Sequence, residues 1–406
     1  TIDDGSCVFP PTANAGTSAT ICANSTYTLN GFATNDSVLN WGTTGDGSFS
    51  GNGILIPTYT PGPSDISSGS VMLNLSVIGY YPCGVETDSM LLTIFPPFNA
   101  GVIGNDQNIC YGDAPSQHSF NITSPPSGGN IPYSYQWEKS LTGTGNWSNV
   151  GGNISTYQPP ALTQTTYYRV RVTSNSSCGV LITNMVKDSV YNQMVGAIIS
   201  GNDTICDSTI PNQLSMTQLP TGGGNVSYNH QWQYSTTGSP NSFTDIPNET
   251  GTTYQPPALT QSTYYRLHST SSFSCGPEPS NALYVHVYDP LVAGTIGPVH
   301  QDICYDDTPN QLSFGSASTG AAGLLDYSYQ WQESSTGSGP WQDITIGIFN
   351  QSTYSPPSLI QSIYYRVQIT SNLCLVTVNS NAVYINVYAD FNAGVIGNDQ
   401  NICYGD

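Results

Sequence analysis

The sequence predicts an all-β protein, a tandem array of two-sheet sandwich domains. Three observations predict it. Gly, Pro, Ser, Thr, Asn and Tyr dominate, strong helix formers are scarce, and apolar residues come in many short runs. One phrase recurs three times, as TYQPPALTQTTYYR at Thr156–Arg169, TYQPPALTQSTYYR at Thr253–Arg266 and TYSPPSLIQSIYYR at Thr353–Arg366. Ahead of each YYR stands a second phrase, YSYQW, YNHQW or YSYQW, ending at Trp137, Trp232 or Trp331. A cysteine precedes each pair of phrases and another follows it. The period is just under 100 residues, the size of a whole small domain and too long for a solenoid repeat.

Taken in order, residues 1–10 close a preceding module. Residues 11–97 form a first domain of a divergent subtype. It has a Trp strand (LNW, Trp41), a Gly-rich hairpin, PTYTPG around Tyr59, and the alternating stretch VMLNLSVIGY at Val71–Tyr80. Apolar–polar alternation with period two marks a half-buried strand. Residues 98–193, 194–289 and 290–390 are three copies of one domain. Each opens on a Gly/Ile-rich strand, then a cysteine in NIC, TIC or DIC and a Pro-containing turn. The Trp strand, a Gly/Ser turn, a second aromatic (Trp147, Phe243 or Trp341) and the Pro-Pro phrase follow. The YYR strand, a turn with the second cysteine and a closing strand complete the copy. Residues 391–406 match Phe98–Asp113 residue for residue, so the block restarts there.

A tryptophan on the third strand and a tyrosine entering the sixth are hallmarks of the immunoglobulin-type sandwich. Trp41, Trp137, Trp232 and Trp331 are the expected inter-sheet fillers. Tyr168, Tyr265 and Tyr365 share the parity of the next inward residue, so these are expected to bond back to the preceding corner. Where an antibody domain has its core cysteine stand Val170, Leu267 and Val367, so that inter-sheet disulfide is absent. One disulfide per domain is expected instead, between the first-strand cysteine and the turn that follows the YYR strand, the F–G turn of such a sandwich, the two taken to share a pole. The pairs are Cys22–Cys83, Cys110–Cys178, Cys206–Cys275 and Cys304–Cys374, each contributing roughly 4 kcal/mol in the chain-entropy model. Cys403 has no partner in the segment. Domains meet with almost no linker, as in VYDPLVAGTIG, where Leu291 and Val292 are expected to bury. The expected assembly is an elongated, semi-rigid rod, each domain adding roughly 30–40 Å.

Charge narrows the function. Acids outnumber Lys+Arg by 26 to 6, and the net charge of −20 argues against nucleic acid and anionic membranes. No run is long enough to span a membrane, no signal peptide is present, and the chain starts mid-phrase, so a segment of something longer is expected. Ten cysteines without a C-x-x-C pair point to disulfides and an extracellular setting. His118, His230, His268, His286 and His300 do not recur at one place in all copies, and no carboxylate pair, nucleophile elbow or phosphate loop recurs. No enzyme activity and no cofactor are expected. Arg169, Arg266 and Arg366 do recur; a sheet-face ligand site is one reading, and a cross-strand partner for the Trp strand, Glu138 for Arg169, is favoured. Lys139 and Lys187, the only lysines, lie in one domain, which nearly excludes repeated Lys–Asn crosslinks.

Two further stretches carry resemblances. TIDDGSCVFP resembles the end of a Bacteroidetes surface motif in which an ATxDDGSC phrase closes a small cysteine-bridged acidic loop. The resemblance implies that Cys7 pairs upstream and that Asp3 and Asp4 are calcium candidates. The plainer reading is two solvated turn aspartates, since calcium takes six or more oxygens. Asp36-Ser37-Val38, Asp88-Ser89-Met90, Asp188-Ser189-Val190, Asp203-Thr204-Ile205 and, more loosely, Asp207-Ser208-Thr209 resemble the Bacteroidetes O-glycosylation signal. Ser37, Ser89, Ser189, Thr204 and Ser208 are the candidate acceptors.

The phrases AGxIG…IC, YQW and YxPPxLxQxxYYR followed by Cys resemble the repeats of giant Bacteroidetes surface adhesins, the SprB-type gliding-motility adhesins above all. The resemblance implies a filament segment at the extracellular cell surface, exported by the type IX secretion system and carried by an outer-membrane motility apparatus. Both partners are met through regions outside this segment, and surface polysaccharide is a candidate ligand. The alternative is a carbohydrate-binding array attached to a secreted enzyme.

Overall fold

A computed structural model describes residues 6–51, 53–175, 178–224, 227–345, 350–397, 400, 402 and 404–405. Asp3, Asp4 and Cys403 lie outside the described residues. One compact unit comprises residues 1–193 with 222–224 and 273–275; a second comprises the rest of 194–406. Each is built of immunoglobulin-like sandwiches, as the sequence pattern predicts.

In the first domain, a four-stranded sheet runs in the order Ala19–Cys22, Val85–Phe95, Ser70–Gly79, Asp36–Thr43. Ser70–Gly79 alternates strictly, and Val71, Leu73, Leu75 and Val77 are buried on one face. Facing it lie Tyr27–Thr28, Thr58–Thr60 and Ser48–Phe49. Trp41 and Tyr59 fill the space between them. A six-residue helix, Pro63–Ser68, starts at a proline that suits the first turn and stops at Gly69, whose φ of 75° ends it in the left-handed region.

Each later domain has one large sheet. In the second domain its order is Gln107–Ile109, Val186–Val190, Thr166–Thr173, Ser134–Ser140, Ser148–Val150. The first two strands are parallel and the others antiparallel. The third and fourth domains repeat that order through Asp203–Cys206 beside Leu283–Tyr288 and His300–Ile303 beside Val383–Val387. Residues of the YYR strand alternate between core and surface, so Tyr168, Val170 and Val172 point inward while Arg169 and Arg171 do not. Trp137, Trp232 and Trp331 are fully buried, as are Tyr168, Tyr265 and Tyr365. Each tryptophan donates its indole N–H to a carbonyl, of Ile154, Gly251 or Gln351.

For Tyr168 the expected bond to the preceding corner is not made. The Tyr168 hydroxyl makes no hydrogen bond among the described residues. Its ring sits in the core against His118 and Tyr157, at 5.1 and 5.7 Å, so it works as packing rather than as a corner clasp. Burial pushes the phenols of Tyr168, Tyr265 and Tyr365 well above the ordinary value.

Candidate functional site at the domain joints

The cysteines form Cys7–Cys83, Cys22–Cys178, Cys110–Cys275 and Cys206–Cys374. None of the expected pairs Cys22–Cys83, Cys110–Cys178, Cys206–Cys275 and Cys304–Cys374 forms, and Cys7 pairs downstream instead of upstream. The reason is strand direction. Gln107–Ile109 runs parallel to the closing strand, with Ile109 opposite Val190, so Cys110 leaves at the pole where the domain ends. The F–G turn that carries Cys178 lies at the opposite pole, beyond Thr173, where the chain enters. The eight residues of the YYR strand Thr166–Thr173 separate the poles, roughly 26 Å at ~3.3 Å per residue. A cystine spans a Cα–Cα distance of only about 4.4–6.8 Å. The exit pole of one domain therefore bonds the entry pole of the next, and the joint distances are 5.3, 5.5 and 5.6 Å.

The repeated Pro-Pro phrase positions the first cysteine. Gly112 N–H donates to the Leu162 carbonyl at 2.8 Å, and Leu162 N–H donates to the Asp113 carbonyl at 2.8 Å. Ser208, Leu259 and Thr209 repeat the exchange at 2.8 and 3.0 Å, and Asp306, Leu359 and Asp307 at 2.9 and 3.0 Å. The central turn residue is left-handed in each copy, with φ of 86° at Gly112, 60° at Ser208 and 64° at Asp306. Gln158 and Gln255 add a side-chain N–H to the Pro115 and Pro211 carbonyls, both at 2.8 Å. Pattern reading missed this role. Its signal was there in CYGDAP, CDSTIP and CYDDTP, a turn of one length behind each first cysteine.

The connecting residues are also held. The Pro96, Asn192 and Asp289 carbonyls accept the N–H of Gly129, Gly223 and Ala321 at 2.8, 2.9 and 2.7 Å. A Cβ on Gly128 would collide with the Pro97 carbonyl, and one on Gly320 with the Pro290 carbonyl, which is why these turns carry glycine. Phe98 stacks on Tyr133 at 5.7 Å. A cleft beside Cys22–Cys178 is lined by Asn24, Ser25, Pro97, Phe98, Gly179 and Leu181. Leu291 is buried as expected, whereas Val292 is 57% exposed, because only one of two adjacent residues at the joint faces the core.

The remaining candidates are structural or dispersed. Arg169 bonds Glu138 through Nε at 2.7 Å, and Arg171 bonds the other oxygen of that buried carboxylate. Arg266 and Arg366 bond Gln233 and Gln332 through Nε, both at 2.7 Å. Each recurrent arginine lies over the second aromatic of its copy, Trp147, Phe243 or Trp341, at 4.0, 4.1 and 4.3 Å. The guanidinium is clamped between side chain and ring. Ser37, Ser89 and Thr204 are exposed on strands, with the Ser37 hydroxyl donating to the Ile78 carbonyl. Ser189 is half-buried beside a fully buried Asp188, and exposed Ser208 occupies the left-handed turn position. In the first domain Tyr59 donates to buried Asp65 at 2.6 Å, and burial together with that bond pushes its phenol up to about 12.

A family model described as a domain of unknown function, DUF8696, matches residues 99–192, 195–289 and 292–389. The chain belongs to this family. The three matches contain the three YYR phrases, so the joint cystines Cys110–Cys275 and Cys206–Cys374 connect successive copies of the family domain. No curated protein matches the chain. Among solved structures it is similar to a titin fragment, domains I67–I69 in an E-to-A variant, at 8% identity, covering 68% of this chain and 98% of that one, with a TM-score of 0.39. Sidekick-1 immunoglobulin domains 1–4 align at 12% identity over 93% of this chain and 99% of that one, TM-score 0.27. Three N-terminal domains of the bacteriophage RB49 outer capsid protein Hoc align at 12% identity over 72% and 100%, TM-score 0.27. Likeness at this level carries no argument about function.

Proposed function

We propose that the chain is a non-enzymatic, tension-carrying segment of a secreted cell-surface adhesin. The observation that carries this reading is the stagger of the cystines. The loops Cys22–Cys178, Cys110–Cys275 and Cys206–Cys374 overlap, so no domain can be drawn out of the array alone. The shortest covalent path through the chain runs 1–22, 178–206 and 374–406. That is about 84 residues, or roughly 290 Å when fully extended, against roughly 1,400 Å for the whole chain at ~3.5 Å per residue. The four cystines among the described residues also fit an oxidising, extracellular setting.

The finer proposal is a gliding-motility adhesin of the SprB type, a type IX secretion cargo of Bacteroidetes. It rests on the recurring phrases. Its secretion and outer-membrane partners are reached through regions outside this segment. The test is single-molecule pulling from both ends. Oxidised chains should stop near the shorter length and gain more than threefold after reduction. Full extension without reductant would overturn the tension-carrying reading.

One observation favours a second reading, a carbohydrate-binding array. In the third domain, Tyr264, Tyr284, His286 and Tyr288 form an aromatic row with centroid spacings of 4.6, 5.9 and 5.0 Å beside Asn202, Asp203 and Thr204. Binding of the isolated chain to a defined glycan on an array, lost on Tyr284→Ala, would favour that reading over the stalk.

A further inference from the structure

We infer that Cys304 is the attachment point for a fifth domain of this class and that its partner is the F–G-turn cysteine of that domain. Cys304 is exposed and has no disulfide partner among the described residues. Three features set it apart from a stray thiol. First, it occupies the position of Cys110 and Cys206, both of which bond the next domain. Second, its turn is already in the bonded shape. Asp307 N–H donates to the Cys304 carbonyl at 3.1 Å, as Asp113 does to Cys110 at 3.1 Å and Thr209 to Cys206 at 3.2 Å. The left-handed Asp306 repeats Gly112 and Ser208, and the Asp307 carboxylate accepts the Cys304 N–H at 3.2 Å.

Third, Cys304 stands where the fourth domain ends. Ile303 lies opposite Val387, and Tyr388 N–H donates to the Ile303 carbonyl at 3.0 Å, the counterpart of Tyr191 to Ile109 at 2.9 Å. The sequence that follows, residues 391–406, is the opening of the second domain restated without a change. The partner this pole fits is thus a domain like the second, presenting a cysteine where Cys178 stands. The inference is independent of adhesion, since an array with any task would carry it.

Bond formation removes one hydrogen from each thiol. Two thiols and one oxidised glutathione give one cystine and two glutathione thiols; in the cell a disulfide-bearing oxidant takes the same two electrons. The test lengthens the full chain from Asp406 with a copy of residues 114–193, completing the fifth domain. Both chains are refolded in glutathione buffer, alkylated without reduction and digested. In the original chain the Cys304 peptide should carry the alkyl group. In the lengthened chain that label should be lost, and the peptide should appear joined to the new F–G peptide. Serine at the new F–G cysteine should restore the label. Should the added domain not fold, as judged by proteolysis, a second extension after residue 390 with residues 194–289 asks the same question through the counterpart of Cys275. Cys304 joined to Cys374, or still fully alkylated beside a folded fifth domain, would overturn the inference.

Discussion

The second domain keeps polar groups where the third and fourth keep hydrocarbon. His118 lies opposite Tyr157; the residues at that place in the other copies are Leu214, opposite Tyr254, and Leu312, opposite Tyr354. Asp188 lies opposite Thr166; its counterparts are Val285, opposite Thr263, and Ile385, opposite Ile363. His118 Nε2 and Asp188 Oδ2 are 2.9 Å apart and both residues are buried, while Asp188 Oδ1 has no hydrogen-bond partner among the described residues. The three domains nonetheless share one large-sheet order. The polar pair is therefore not what makes the fold. Desolvation offsets most of the attraction inside such a pair, and an apolar pair of similar volume does as well or better.

That comparison is easily broken. Asp188→Val alone leaves the buried His118 ring without its hydrogen-bond partner and should cost ~1–3 kcal/mol. Hydrogen exchange of Thr166–Thr173 under rising urea reads the loss locally. The double variant His118→Leu/Asp188→Val should recover it and match or exceed the parent. A double variant as weak as the single one would mean the second domain depends on its polar pair after all.

A smaller effect separates the third domain from the fourth by pH. Burial holds the imidazoles of His230 and His268 below their ordinary value. A lowered folded-state value favours the neutral form, so that stability is present above ~6.5 and is lost as pH falls below it. The fourth domain has Tyr329 and Gln368 at those places and lacks this loss. Exchange protection compared at pH 7.5 and 5 should fall in Thr263–Ser271 and hold in Ile363–Ser371.

Smaller again is the arginine clamp. Trp147→Ala removes the ring beneath Arg169 and should cost ~0.5–2 kcal/mol by urea unfolding. Glu138→Gln should cost least, under ~1 kcal/mol, because Gln233 and Gln332 already bond the same Nε in the sister domains. A larger loss would show that the Arg171 contact matters more than the shared one.

The interior was legible because side-chain period and strand period coincide. The Trp strand, the inward Tyr and the outward Arg could be read from parity, and Glu138 does face Arg169. The joints were not legible, for a directional reason. Pattern gives which face a residue occupies, but Cys110 and Cys178 needed the sense of a strand relative to its neighbour. A parallel pairing in each domain, such as Gln107–Ile109 on Val186–Val190 in the second, moved each first cysteine to the far pole. His118 and Asp188 escaped because a polar residue on a short strand looks exposed when its partner is 70 residues away.

The cystines also change what a domain is in this chain. Each joint closes a loop of 156 to 168 residues, about 5 kcal/mol apiece in the chain-entropy model. Because the loops overlap, that contribution is shared between neighbours rather than owned by one fold. The most direct test is a disulfide map of the oxidised chain, digested at low pH without reduction and read by mass spectrometry. The account predicts peptides joining Cys22 to Cys178, Cys110 to Cys275 and Cys206 to Cys374. Peptides joining Cys110 to Cys178 and Cys206 to Cys275 would contradict it.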